Sequence, residues 1–153
     1  MSPDAPASNL VRELMSKPIL YLDIVGTLLL EKGGEMEMAP FAQEFANRVR
    51  DSFELRFLSS LEEHHAARIA KHLGVDAAYV PFRRALGKAS SIQFDEAFYW
   101  VDDDPNPADL LRLSDERCSD RLIPVNRREG VTEATLEKLL ATWEEHRGEQ
   151  GEG

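Results

Sequence analysis

The chain contains a single cysteine, Cys118, in 153 residues. That excludes an intrachain disulfide and any metal site built from several thiolates. No apolar run approaches the ~20 residues of a membrane-spanning helix, so no membrane partner is expected. Positive charge is also scarce. Twenty-eight acidic side chains stand against 18 lysines and arginines, a net charge of −10. Such a chain repels nucleic acid unless its cations cluster. Two small clusters exist, Arg83-Arg84 with Lys88 and Arg127-Arg128. The second reads most simply as solvated loop charge. There is no internal repeat and no low-complexity linker. The opening MSPDAPASN has neither the basic nor the apolar part of a secretory signal, and a cytoplasmic location is expected.

What remains is an ordinary globular composition, 42% hydrophobic and 30% charged. The length suits one domain with a real core. The expected division is a flexible lead over 1–16, one domain over 17–146, and a frayed helix end and tail over 147–153.

Ile19 to Leu22 is a continuous apolar run between Pro18 and Gly26. It suits a strand buried on both faces. EKGGEMEM follows as a loop or short hairpin. Phe41, Ala42, Phe45, Ala46 and Val49 recur at helical spacing. FELRFL is a second strand. Ser60 and Glu63 then form a capping-box pattern. The expected helix has Leu61, His65, Ile69 and Leu73 on one face and Gly74 at its end. AAYV and AFYWV are further strands. Pro107 suits the first turn of a short helix. RLIPV is a fifth strand, placed at an edge by Pro124. Thr132 caps a last helix with Leu136, Leu139, Leu140 and Trp143 as its apolar face.

Strands alternating with helices indicate an α/β three-layer sandwich on a mostly parallel five-stranded sheet. Right-handed crossovers put every strand C-terminus on one edge, where ligands of such sheets bind. Asp23, Ser59 with Ser60, and the run Asp102-Asp103-Asp104 follow strands there. Lys88 lies on the approach to the fourth. Three consecutive carboxylates repel one another unless a cation sits among them. An all-oxygen site with Asp23 opposite suits Mg²⁺. Ser59 and Lys88 are placed to hold phosphate oxygens. Ser60 reads as a helix cap, and DDDPNP alone would read as an acidic turn. Arg83 and Arg84 are candidates for gripping an anionic substrate. His64 and His65 are adjacent on a helix and point about 100° apart, a poor pair of metal ligands. His65 reads as semi-buried; His72 and His146 read as exposed. Cys118 has no activating neighbour in sequence, Trp100 continues a buried strand, and Trp143 anchors the last helix.

YLDIVGTLL resembles the first motif of the haloacid dehalogenase-like (HAD) superfamily, a strand followed by Asp-x-Asp-Gly-Thr. LRFLSS resembles its second motif, Lys88 its third, and FYWVDDDP its fourth. ELRFLSSLEEHHAARIAKHLGV, WVDDDP and LIPVNRREGVTEATLEKLL further resemble the small capless HAD domains associated with bacterial RNA repair proteins. The resemblance implies a phosphohydrolase in which Asp23 attacks a phosphoryl group and forms an aspartyl-phosphate. It implies Mg²⁺ held by Asp23, the Val25 carbonyl, Asp102 and Asp103, with Ser59 and Lys88 on the phosphate. It also exposes a departure. The family's phosphatases carry an acid/base Asp where this chain has Val25. Loss of a general acid/base typically lowers rate by ~10²–10⁴. Two expectations follow: a hydrolase of low or unusual activity, or a degenerate domain that binds metal or phosphate and serves interactions. The stretch between Gly26 and the second strand is too short for a cap domain. That favours a phosphorylated substrate that is large or part of a partner. Nucleic acid enters only through the subgroup resemblance. Oligomeric state is not indicated.

Overall fold

In a computed structural model, residues 17–152 are described. The lead expected over 1–16 lies outside them. The first strand, β1 (Ile19–Leu22), is wholly buried. A two-stranded hairpin follows, β2 (Leu29–Lys32) and β3 (Glu35–Met38). Its tip is Gly33-Gly34, with φ of 60° and 83°. Both glycines take the left-handed conformation that a two-residue hairpin turn requires. Helix α1 (Ala42–Val49) buries Ala42, Phe45, Ala46 and Val49, one stripe at the expected spacing. Strand β4 (Glu54–Phe57), helix α2 (Glu63–Leu73) and strand β5 (Ala77–Tyr79) come next. A short 3-10 turn, Lys88–Ser91, precedes β6 (Phe98–Asp102). Helix α3 (Pro107–Asp115), a second 3-10 turn (Ser119–Arg121), β7 (Leu122–Pro124) and helix α4 (Glu133–Glu152) complete the chain.

The main sheet has the order β5-β4-β1-β6-β7, and every neighbouring pair is parallel. Pro124 lies on an edge strand, as its missing N–H predicts. Alternate residues of each strand face opposite sides. Leu20, Leu22, Leu55, Phe57, Tyr99 and Val101 pack with α1, α2 and α4. Ile19, Tyr21, Phe98 and Trp100 pack with Ala89, Ile92, Leu113 and Cys118 on the other side. The sheet is therefore covered on both faces, which makes the three layers. Between β1 and β4 the chain builds only the hairpin and α1, so no cap domain is inserted there.

Three local expectations need correction. Helix α2 begins at Glu63 behind Glu62, with no side-chain cap from Ser60. Ser59 Oγ accepts the Leu61 N–H at 3.1 Å, and Tyr79 donates its hydroxyl to the Leu61 carbonyl at 2.9 Å. These bonds hold residues 59–61 in a turn and delay the helix. Its buried stripe becomes Ala66, Ala70 and Leu73, and His65 is exposed rather than semi-buried. His146 is half-buried rather than exposed. Its Nδ1 lies 2.6 Å from the Tyr99 hydroxyl, and its Nε2 lies 2.8 Å from Asp120 Oδ2. Helix α4 runs to Glu152, over the stretch read as a frayed helix end and tail. Thr132 does cap α4, through reciprocal bonds with Thr135 of 3.0 and 3.3 Å.

Candidate functional site

Asp23 directly follows β1. Its N–H donates to the Val101 carbonyl at 3.0 Å, so the ends of β1 and β6 are locked side by side. The turn after it is tight. The Ile24 carbonyl accepts the N–H groups of Thr27, Leu28 and Leu29 at 2.8–3.1 Å. Gly26 has φ of 87°, and a Cβ there would collide with the Asp103 carboxylate. Glycine thus serves two needs, a left-handed turn and the close approach of Asp103.

The sheet brings Asp23 and Asp102 onto neighbouring strands, and both are buried, at 4% and 0% exposure. Lys88 bridges them. Its Nζ lies 2.9 Å from Asp23 Oδ1 and 2.7 Å from Asp102 Oδ2. Further bonds fix each carboxylate. Thr27 Oγ1 donates to Asp23 Oδ2 at 3.2 Å. Trp100 Nε1 donates to Asp102 Oδ2 at 3.1 Å, and the Asp104 N–H to Asp102 Oδ1 at 2.9 Å. Asp103 adds a third carboxylate. One oxygen from each of Asp23, Asp102 and Asp103 lies within 4.8 Å of the others.

One ammonium among three carboxylates leaves excess negative charge in a dry place. Burial first, then the charge of Asp102 and a hydrogen bond with Asp103, push the Asp23 carboxyl up to about 8 against the pull of Lys88. Burial also raises Asp102 above the usual carboxylate range, despite Lys88 and the Asp104 N–H. Burial alone would lower Lys88, but Asp23 and Asp102 outweigh it and the ammonium titrates above its ordinary range. This donor set fits a divalent ion. It offers three carboxylates in reach of one another, all of them hard oxygen ligands. Among the described residues no hydrogen bond occupies the Val25 carbonyl either. Val25, two residues after Asp23, is apolar and 37% exposed.

Ser59 follows β4, the other neighbour of β1, and is buried. Its Oγ accepts the Leu61 N–H, which leaves the hydroxyl proton to donate. Arg83 and Arg84 are exposed on the turn before Lys88, with no ion pair among the described residues. Arg127, read as solvated loop charge, is 64% exposed and also reaches the acid cluster. Its Nη2 lies 3.0 Å from Asp104 Oδ2 and its Nε 3.6 Å from Asp103 Oδ2. Three contributors have no site role in the sequence reading: Thr27, Trp100 and Arg127. Trp100 had a readable signal, because residues two apart in a strand share a face.

A second cluster brings ligand atoms of Glu62, His64 and His65 within 4.8 Å of one another, all three exposed. The two imidazole rings are 4.0 Å apart, although His64 and His65 are consecutive positions in the first turn of α2.

No family model and no curated protein matches the chain. Solved structures do. The HAD domain of effector protein Lem4 from Legionella pneumophila is similar with a TM-score of 0.57 at 12% identity, over 82% of this chain and 95% of that one. The probable YrbI-family phosphatase of Pseudomonas syringae is similar with a TM-score of 0.50 at 14% identity, over 95% of this chain and 99% of that one. The chain has the HAD-like fold.

Proposed function

We propose that this chain is a phosphoryl-transfer protein of the HAD phosphohydrolase type, with Asp23 as nucleophile. The observation that carries the reading is the buried Asp23–Lys88–Asp102 contact of 2.9 and 2.7 Å at the carboxyl edge of a parallel sheet. An Asp23 oxygen attacks phosphorus, the bond from phosphorus to the leaving oxygen breaks, and an aspartyl-phosphate forms. Water then attacks that phosphorus, the Asp23 carboxylate is regenerated and inorganic phosphate leaves. Lys88 and the Ser59 hydroxyl face the phosphate oxygens and offset their charge. Mg²⁺, held by Asp23, Asp102, Asp103 and the Val25 carbonyl, would supply positive charge to the transferred group. Val25 cannot protonate a leaving group or activate water. Acyl and aryl phosphates, whose leaving oxygens need no proton, are therefore the substrates to favour. With no cap over the site, a large phosphorylated molecule can approach it. RNA ends are a less favoured case, given the charge of −10.

The same valine favours a second reading, a degenerate domain that binds a phosphate group without turnover. Two experiments separate the two. Incubation with Mg²⁺ and acetyl phosphate or p-nitrophenyl phosphate should release phosphate, and Asp23→Asn should abolish release. Without turnover in the parent, a gain of ~10²-fold or more in Val25→Asp assigns the degenerate reading. BeF₃⁻ should bind at Asp23 in either case. Failure of the mimic to bind there removes both.

A further inference from the structure

Lys88 reaches its two carboxylates from a 3-10 turn of only four residues, Lys88–Ser91, and that turn has no side-chain cap at its start. Its anchor comes from a different element. Asp109, in the first turn of α3, is 2% exposed. Its Oδ1 accepts the Ala89 N–H at 2.9 Å, and its Oδ2 accepts the Asn106 N–H at 3.1 Å. Asn106 returns a bond, its Oδ1 accepting the Asp109 N–H at 2.9 Å. A helix cap needs only the Asn106 half of this arrangement. The bond to Ala89 is extra, and it holds the residue next to Lys88. The neighbour on the other side confirms how close the two elements lie. Gly87 has φ of 81°, and a Cβ there would collide with Asp109 Oδ1 and lie 3.1 Å from Asn106 Nδ2.

The same short segment carries both ends of the arrangement. Asp102 ends β6, and Asn106 caps α3 four residues later. A carboxylate fixed by α3 therefore sets the lysine-bearing turn against the strand end that presents Asp102. We infer that Asp109 is a positioning residue for Lys88: it aligns the ammonium with Asp23 and Asp102 through the Ala89 N–H and touches no reacting atom itself. This rests on Lys88 being the phosphate-facing cation of the site. Its geometric content stands without turnover.

The test reads Lys88 directly. The full chain is labelled briefly with acetic anhydride and each lysine is quantified by mass spectrometry. In Asp109→Ala, Lys88 should label about tenfold faster, the ratio that loss of one charge-assisted hydrogen bond permits. Lys71 and Lys138 should label as in the parent. Asn106→Ala is the control for a purely structural role. It removes the side-chain cap of α3 and should lower the melting temperature, yet it keeps the Asp109–Ala89 bond and should leave Lys88 protected. Asp109→Asn retains an acceptor oxygen and should restore most of the protection. If Asp109→Ala does not fold, Asp109→Ser, whose hydroxyl is too short to replace the carboxylate oxygen on the Ala89 N–H, decides by the same readout. Lys88 must then label faster in Asp109→Ser than in the parent and than in Asn106→Ala. Equal Lys88 labelling in the parent and in Asp109→Ala or its Asp109→Ser substitute, or an equal rise in Asn106→Ala, overturns the inference. Phosphate release is not needed for any arm, so a catalytically inert protein would not obscure the result.

Discussion

At one end of β6, Tyr99 meets His146, and His146 meets Asp120. At the other end, Asp102 meets Lys88, and Lys88 meets Asp23. The two chains of bonds are alike in length, and no buried side-chain nitrogen or oxygen among the described residues lacks a partner in either. They differ in charge. With a proton on His146 Nε2, Tyr99 donates to the imidazole and the imidazole donates to an exposed Asp120, a tautomer assigned from the network. Arg121 lies 5.4 Å from the Tyr99 ring and shields that end further. The far network needs nothing more. The near one keeps three carboxylates beside one ammonium, and Asp23 holds its proton up to about 8 as a result. Hydrogen-bond satisfaction alone does not separate a structural network from a reactive one. Unbalanced charge in a dry place does.

The sharpest way to break the contrast is to remove the shared cation. Lys88→Met leaves Asp23 and Asp102 buried with no partner charge. It should cost roughly 3–5 kcal/mol in urea unfolding at pH 8 without metal. The loss should shrink toward pH 5 as Asp23 takes up a proton. An unchanged midpoint would mean the contact is not formed.

The parent protein should itself show the imbalance as a pH slope. The folded Asp23 carboxyl, at about 8, binds its proton more tightly than the unfolded one at 3.8. Its contribution to stability is therefore full below about pH 4 and is lost as pH rises toward 8. Lys88 stays charged throughout that window, because its own loss begins only above its ordinary range. The fall in metal-free unfolding free energy should be on the order of 3 kcal/mol, and Mg²⁺ should restore part of it. The Tyr99 hydroxyl should contribute no slope in that window, since burial raises it to about 12. A flat profile from pH 4 to 8 would contradict the assignment of Asp23.

Smaller effects test the far end. His146→Ala strands a buried Tyr99 hydroxyl and should cost about 1–3 kcal/mol. Adding Tyr99→Phe should recover part of that, because the unpartnered group is then gone. Full additivity in thermal melts would show that the two residues do not act as one network. Smallest of all is Arg127→Ala. Its side chain is 64% exposed, so its pairs with Asp103 and Asp104 should be worth less than about 1 kcal/mol, and less still in high salt.

The residues that were legible in advance lie where local rules act. Apolar runs bounded by proline or glycine fixed the strands, and the parallel pattern then placed Asp23, Ser59 and Asp102 at one edge. Lys88 was weaker in sequence, since a lysine in a loop has no pattern of its own. What escaped depends on contacts between distant segments. Tyr79 reaches the Leu61 carbonyl and shifts the start of α2, so the expected stripe through His65 moves to Ala66 and Ala70. His146 reads as a polar residue near a chain end until Tyr99 and Asp120 meet it. Asp109 reads as an ordinary first-turn acid; its bond to Ala89 crosses twenty positions.

The hairpin tip at Gly33-Gly34 projects into open space, with nothing within 4 Å of a side chain added at either residue. Its two strands pair only with each other, apart from the five-stranded sheet. Extra sequence spliced in at that point would leave β1 and β4 in register. Residues added at the tip therefore meet no neighbour, and the chain can carry an extra segment there without rebuilding the sheet that holds Asp23.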